Sequence, residues 1–392
     1  MRKEDESIPN ARPDEQGSDI TKGILEHKSS HGLEQVLASI PPSELESILL
    51  EAYALRARKL SVYDVLRQYE SNAFVQPAVI DQKEQVLFES FVVRTLPQKT
   101  RLIELSPVTA LGTNSVLSDI SQRTVLGTTR NTEVVADGVT VLTLELAKLR
   151  RLNKNDKNPI DLGTFQRELR TQKHEQPGFT PHFHALSLVS SDNTHFPEEF
   201  KSRVFSDHTS IYLRIIRDIQ ELGYQSRHLK VSFSNIRIAE LLIKNLNLNR
   251  FDIMRHTQTP SYSLLDEFSI PLPRNVTFQE LAELPRSLPT ELLFLKRPLE
   301  FMGRVFNKVA VDINDEYGGQ VELIFDLDRH AGIGYYEDLC VKISAENIDG
   351  RIYPLVDIGS NNWLANILNN KDERLITGGM GTELFMKEFK AR

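Results

Sequence analysis

The chain has 392 residues, enough for one large or two medium domains with a buried core. Hydrophobic content of 40% and charged content of 26% are those of a soluble globular protein, and no apolar run approaches the length of a bilayer span. The net charge of -7 argues against sequence-wide attraction to nucleic acid, and the single cysteine, Cys340, excludes an intrachain disulfide or a cysteine-rich metal site.

Residues 1 to about 28 are polar and charged and read as a disordered tail. No apolar stretch follows their basic residues, so neither a signal peptide nor an anchor is expected, and a cytoplasmic location is the simplest reading. Helical periodicity begins near Leu33 and breaks at Pro41 and Pro42. It resumes with Leu45, Ile48, Leu49, Ala52 and Leu55, and again after Ser61 with Val62, Val65, Leu66 and Tyr69. The sequence Phe74-Val75-Gln76-Pro77 reads as extended, and Leu102 to Leu105 as a strand. Beyond Gly138, Leu142, Leu146 and Leu149 recur at helical spacing, with Lys148, Arg150 and Arg151 at the end where cations suit the helix dipole.

Leu162 to Gln172 and His182 to Val189 read as two strands joined by a Pro-Gly-containing loop. A helix opening at Asp207 or His208 carries Ile211, Ile215, Ile219 and Leu222 and stops at Gly223. A strand at Leu229 to Phe233 and a helix around Ile238 to Leu246 follow. Residues 250–318 are richer in proline and read as an inserted or variable subdomain with helical pieces near Phe278 to Leu284 and Leu292 to Arg304. Val321, Leu323, Phe325 and Leu327 alternate as in a strand that Leu339 to Ile343 should pair. Cys340 lies in that second strand and reads as a buried, inert thiol. The chain closes with a helix near Trp363 to Leu368, a glycine segment at 378–381 and a short helix from Thr382.

Four separated segments keep a telling order: Leu169-Arg170-Thr171-Gln172, His182-Phe183-His184-Ala185, Gly332-Ile333-Gly334-Tyr335-Tyr336 and Gly378-Gly379-Met380-Gly381-Thr382-Glu383-Leu384. In that order they resemble the catalytic core of class II aminoacyl-tRNA synthetases, most closely the histidyl branch, including its non-charging paralogues of the ATP phosphoribosyltransferase regulatory type. The resemblance covers about residues 60 to 389. It implies an α+β fold: an antiparallel sheet flanked by helices, built from 29–249 and 319–392, with 250–318 inserted.

The resemblance also implies roles. Arg170 stands for the arginine that holds the α-phosphate of ATP, Gln172 for the residue that reads the adenine amino group, and Phe183 for the ring that stacks on adenine. Arg167 is the alternative phosphate ligand. A surface-strand arginine paired with Glu168 or Glu175 is the plainer reading of Arg170. Glu133 and Thr140 match the residues that receive an amino-acid ammonium group, although a carboxylate stabilising a helix N-terminus explains Glu133 equally well. Tyr335 and Tyr336 are retained as substrate-side tyrosines, and Arg329 lies two residues from Ala331, where the signature arginine would stand.

Several chemistry-bearing positions of the family are lost. Ala185 and Val189 replace its glutamine and glutamate; Ser360 and Leu384 replace arginines that belong to the cationic clamp. The chain stops after the glycine segment, where a histidyl synthetase continues into an anticodon-binding domain. His174, His182, His184 and His195 cluster in sequence, but no carboxylate at suitable spacing completes a metal site. The sequence assigns no catalytic residue. Two functions are therefore expected: a non-aminoacylating ligand-binding or regulatory paralogue, or an ATP-dependent ligase that activates a small carboxylate or amino acid for an acceptor other than tRNA. ATP is the cofactor implied, with no metal. The partners expected are a second copy of the chain, paired through residues 61–80, a further protein and a small-molecule or amino-acid ligand, with neither tRNA nor membrane.

Overall fold

The computed structural model describes residues 32–118, 120–153, 157–172, 178–256, 259 and 262–391. The expected tail, His174 and Glu175 lie outside these. Among the described residues, nine strands form one sheet. In chain order they are β1 (Arg101–Leu102), β4 (Ile160–Leu169), β5 (His182–Asn193), β6 (Arg227–Asn235), β7 (Asn275–Val276), β8 (Val321–Asp326), β9 (Leu339–Glu346), β10 (Ile352–Asn361) and β11 (Glu373–Met380). The short strands β2 (Val108–Ala110) and β3 (Thr132–Val134) pair separately. The spatial order is β1-β4-β5-β11-β10-β9-β6-β8-β7. Its centre, from β4 to β6, is antiparallel, with parallel pairs at β1–β4 and β6–β8. The architecture is α+β, with helices covering the sheet.

Alternation along the strands sends residues to two different layers. Leu186 and Leu188 of β5 and Ile376 of β11 join the main core, which includes Tyr212, Ile215 and Ile216 of the long helix α7 (Pro197–Asp218) and Phe306 of α12 (Lys296–Tyr317). Val189 and Leu375, on the opposite face, join a smaller cluster with Leu142 and Leu146 of α6 (Gly138–Leu152) and with Trp363 and Leu364 of α13 (Trp363–Leu368). Each fully buried large apolar side chain contributes about 1.5–3 kcal/mol before ordering costs. Pro197 starts α7 where a missing N–H costs nothing, and a 3₁₀ turn ends it at Gly223, whose φ of 81° suits the left-handed cap.

Several elements differ from the sequence reading. α7 begins at Pro197, ten residues before Asp207, because Phe200, Val204 and Phe205 extend its buried stripe. The strand at 339–346 pairs with β6 and β10; β8 pairs with β6 and β7 instead. Residues 74–76 turn rather than extend. A helix that periodicity did not reveal, α4 (Gln82–Thr95), is capped by Asp81 and buries Phe88, Phe91 and Val92 against the core. By contrast α2 (Pro42–Ala57) and α3 (Val62–Ser71) bury no residue. No described helix is long and apolar enough to cross a membrane.

Candidate functional site

The face of the sheet toward α6 carries a chain of polar contacts running from β4 across to β10. In the β4–β5 register Glu168 stands opposite Phe183, and Arg170 continues the ladder by donating its backbone N–H to the Pro181 carbonyl at 2.8 Å. Glu168, Arg170 and Phe183 therefore share one face. The Arg170 guanidinium lies 5.3 Å from the centre of the Phe183 ring, in cation–π range. Its Nη2 donates to Glu168 Oε2 at 3.0 Å and its Nε to the Ala136 carbonyl at 2.8 Å. The Arg170 side chain is 39% exposed, whereas that of Glu168 is 2% exposed.

Glu168 Oε1 accepts the N–H of Gly138, the first residue of α6, at 2.8 Å. Burial pushes the Glu168 carboxyl up to about 7; Arg170 pulls against this and the neighbouring Asp137 adds to it. Burial also works against the Arg170 charge, but Glu168 and Asp137 outweigh it and raise its pKa. Gly138 allows the close approach, because a Cβ there would sit 2.8 Å from Ser187 Oγ.

Asp137 caps α6 through the N–H of Val139 and accepts the Tyr335 hydroxyl at 2.6 Å. Tyr335 meets Tyr336 and Trp363 edge to face at 4.8 and 5.0 Å. Tyr336 lies over Gly359 of β10, where a Cβ would come within 2.2 Å of the ring. Burial raises both tyrosines well above their ordinary pKa. Arg329 stacks on Tyr336 at 5.6 Å and donates through Nη2 to both oxygens of Asp357 at 2.7 Å. Its side chain is 2% exposed, and Nη1 has no hydrogen-bond partner among the described residues. Burial opposes the Arg329 charge, yet Asp357 more than compensates, so its pKa rises. Cys340 is fully buried beneath this group, and burial pushes its thiol up to about 12.

The other sequence-selected residues lie apart from this chain. Glu133 is fully buried and accepts four hydrogen bonds, from Gly112 N, Asn114 N, Asn114 Nδ2 and Gln122 Nε2, at 2.7–3.0 Å. That fills the acceptor sites of a carboxylate and leaves no room for a ligand ammonium. Thr140 is buried, donating to Asp137 O at 2.8 Å with Asn114 Oδ1 at 3.2 Å. Gln172 is exposed in the bend beyond β4. Arg167, on the opposite face, pairs with Glu383 at 2.8 Å. His182 and His195 bond to separate partners, His184 Nδ1 lies 3.4 Å from Glu89 Oε1 without a hydrogen bond, and no described cluster of His, Cys, Asp and Glu is arranged for a metal. Sequence reasoning missed Asp137 and Asp357; the first carries a signal, a capping aspartate immediately before a helix.

A structural comparison decides the frame. The histidyl-tRNA synthetase/ATP phosphoribosyltransferase regulatory subunit of Bacillus halodurans superposes with a TM-score of 0.56 over 81% of this chain and 83% of its own, at 16% identity. The chain has the fold of the class II synthetase catalytic core. The histidyl-tRNA synthetase of S. aureus gives 0.52 over 80% and 71% at 15% identity, and a histidine–tRNA ligase subunit of Alicyclobacillus acidocaldarius gives 0.56 over 79% and 95% at 14%. No family model and no curated protein matches the sequence. Leu384, which the sequence resemblance sets against the family's last arginine, is buried in the core. Ser360 is buried too and bonds Asp338, while Ala331 lends its carbonyl to Arg329 at 3.0 Å.

Proposed function

We propose that this protein is a non-aminoacylating relative of the histidyl synthetases that acts by binding a ligand or a partner. The observation that carries the reading is the internal engagement of the arginines on the sheet face: Arg170 donates to Glu168, and Arg329 to both oxygens of Asp357. A phosphoryl-transfer site needs cations directed at the transferring group. Here Ala331, Ser360 and Leu384 supply none. Ala185 and Val189 likewise offer no side-chain hydrogen bond to an amino acid. Similarity to a protein named as a regulatory subunit supports the regulatory half of the proposal. The test is aminoacylation of bulk tRNA with histidine, compared with a no-protein control. No charging is expected, and charging above the control refutes the proposal.

A second reading, an ATP-dependent ligase working on a small carboxylate or amino acid for a non-tRNA acceptor, is favoured by one feature. Arg170 is partly exposed and already stacked on Phe183, and Arg329 Nη1 has no acceptor among the described residues. On that reading ATP raises the melting midpoint of the wild type, and Arg170→Ala weakens its binding at least about tenfold, the loss of a charged partner of a bound anion. Equal affinities remove it.

Val62, Tyr63, Val65 and Leu66 of α3, and Val86, Leu87 and Val93 of α4, are exposed. This supports a homodimer, for which an interface of about 1,600 Å² is usual. Sedimentation as a monomer at micromolar concentration would count against it.

A further inference from the structure

Residues 33–79 are about an eighth of the chain, yet they hold 15 of the 28 large apolar side chains exposed among the described residues. Three helices make up most of this segment: α1 (Leu33–Ser39), α2 and α3. None of the three buries a residue. On α3, Val62, Val65, Leu66 and Tyr69 recur at i, i+3, i+4 and i+7, the spacing of a stripe that faces a core. They are 42–88% exposed. A reciprocal capping box of Ser61 and Asp64 fixes the start of this helix. A helix of ten residues is marginal by itself in water, so the stripe calls for a cover.

The chain itself narrows the choice of occupant. Polar contacts tether the segment to the body, from Glu46 to Arg130 at 2.8 Å and from the Gln76 carbonyl to His182 at 2.7 Å, and neither engages the stripe. Residues 1–31 carry Ile8, Ile20, Ile24 and Leu25 besides Met1, too few apolar side chains to cover fifteen. α2 and α3 hold five acidic residues against Arg56 and Arg67, the wrong sign for an anionic lipid surface. A matching surface lies on α4. That helix packs Phe88, Phe91 and Val92 into the core, yet its outer side exposes Val86, Leu87 and Val93 by 47–59%. A helix apolar on both sides is built to be covered on both. Within one chain the two patches stay uncovered. Paired in a two-fold dimer, each copy's arm patch meets the other's body patch, a reciprocal contact that closes.

We propose that α1–α3 form an arm exchanged between two copies of this chain, with the α3 stripe of each copy seated on the outer side of the other's α4. This rests on the homodimer proposed above and names the contact that holds it. α1 and α2 precede residue 60, where the resemblance to the class II core begins, so the arm is an addition to that core. The available area is of the right order. Tyr53, Tyr63, Tyr69 and Phe74 are 37–70% exposed, and at about 150–250 Å² for a whole ring they offer roughly 300–500 Å² per copy. That is about half of the roughly 800 Å² each partner gives to a stable interface, before any aliphatic side chain is counted.

The experiment is sedimentation of the full chain at micromolar concentration, where the wild type should run as a dimer. Val62→Asp combined with Leu66→Asp alters exposed positions that the chain's own core does not use. The pair should raise the dimer dissociation constant at least about hundredfold, because two carboxylates lose water against an apolar partner, while near-UV circular dichroism keeps the signal of the folded core. Val311→Asp, on α12 and 57% exposed, should leave the dimer intact. A copy with Val65→Cys co-expressed with a copy carrying Val86→Cys should join through a short bismaleimide into a mixed dimer, since Cys340 is buried. A wild-type monomer overturns this inference and the homodimer together. A dimer that Val62→Asp with Leu66→Asp leaves unchanged, or that Val311→Asp dissociates equally, keeps the homodimer and overturns the exchange. So does the absence of a mixed cross-link, or a single chain with both cysteines that cross-links only within itself, because the arm then lies elsewhere than on its partner's α4.

Discussion

Replacing Glu168 by glutamine tests the electrostatics of the site directly. The carboxyl is raised from its ordinary 4.5 to about 7, first by burial and then by Asp137, against the pull of Arg170. Between those two pH values the folded state binds more protons than the unfolded state, so stability falls as pH rises. The full contribution is present below pH 4.5 and is lost by the time pH has passed about 7. At 1.36 kcal/mol per pH unit, that rise amounts to about 3 kcal/mol. Glutamine keeps an acceptor for the Gly138 N–H but cannot ionise. Arg170 loses its anion, at modest cost because its side chain is 39% exposed and can turn to water. Urea unfolding of wild type and Glu168→Gln across this window gives a difference in which other carboxylates cancel. The wild type should lose about 3 kcal/mol relative to the variant between about pH 4.5 and 7. A difference that stays constant within about 0.5 kcal/mol would refute the assignment of a buried, proton-holding carboxyl.

Asp357→Asn removes the charge that holds Arg329 and should destabilise by about 2–4 kcal/mol in urea unfolding, less than for a fully buried pair because Asp357 is 46% exposed. Gly359→Ala drives a methyl into the Tyr336 ring, 2.2 Å away, and should cost about 1–3 kcal/mol, read as a lowered melting midpoint. Leu384→Arg introduces the arginine that the sequence resemblance would set there but buries a guanidinium in the core. It should lose more than about 3 kcal/mol, visible as low soluble yield, and gain no aminoacylation.

Much of this fold was legible because the signals were local. Trp363–Leu368 forms the helix its pattern predicts, Gly223 ends the α7 segment with a left-handed residue, and β8 alternates as expected. The pairing of Arg170 with Glu168 and its stacking on Phe183 also follow from strand alternation, since all three residues fall on one face. What the sequence left open was partnership. Glu133 has the same local pattern whether it serves a ligand or a helix start, and only the convergence of Gly112, Asn114 and Gln122 on its carboxylate shows that its acceptors are filled. The partner of the strand at 339–346 and the salt bridge from Arg329 to Asp357 join residues far apart in the chain. Periodicity specifies which face a side chain takes; which groups meet across that face depends on strand order and register, and these are set by long-range packing.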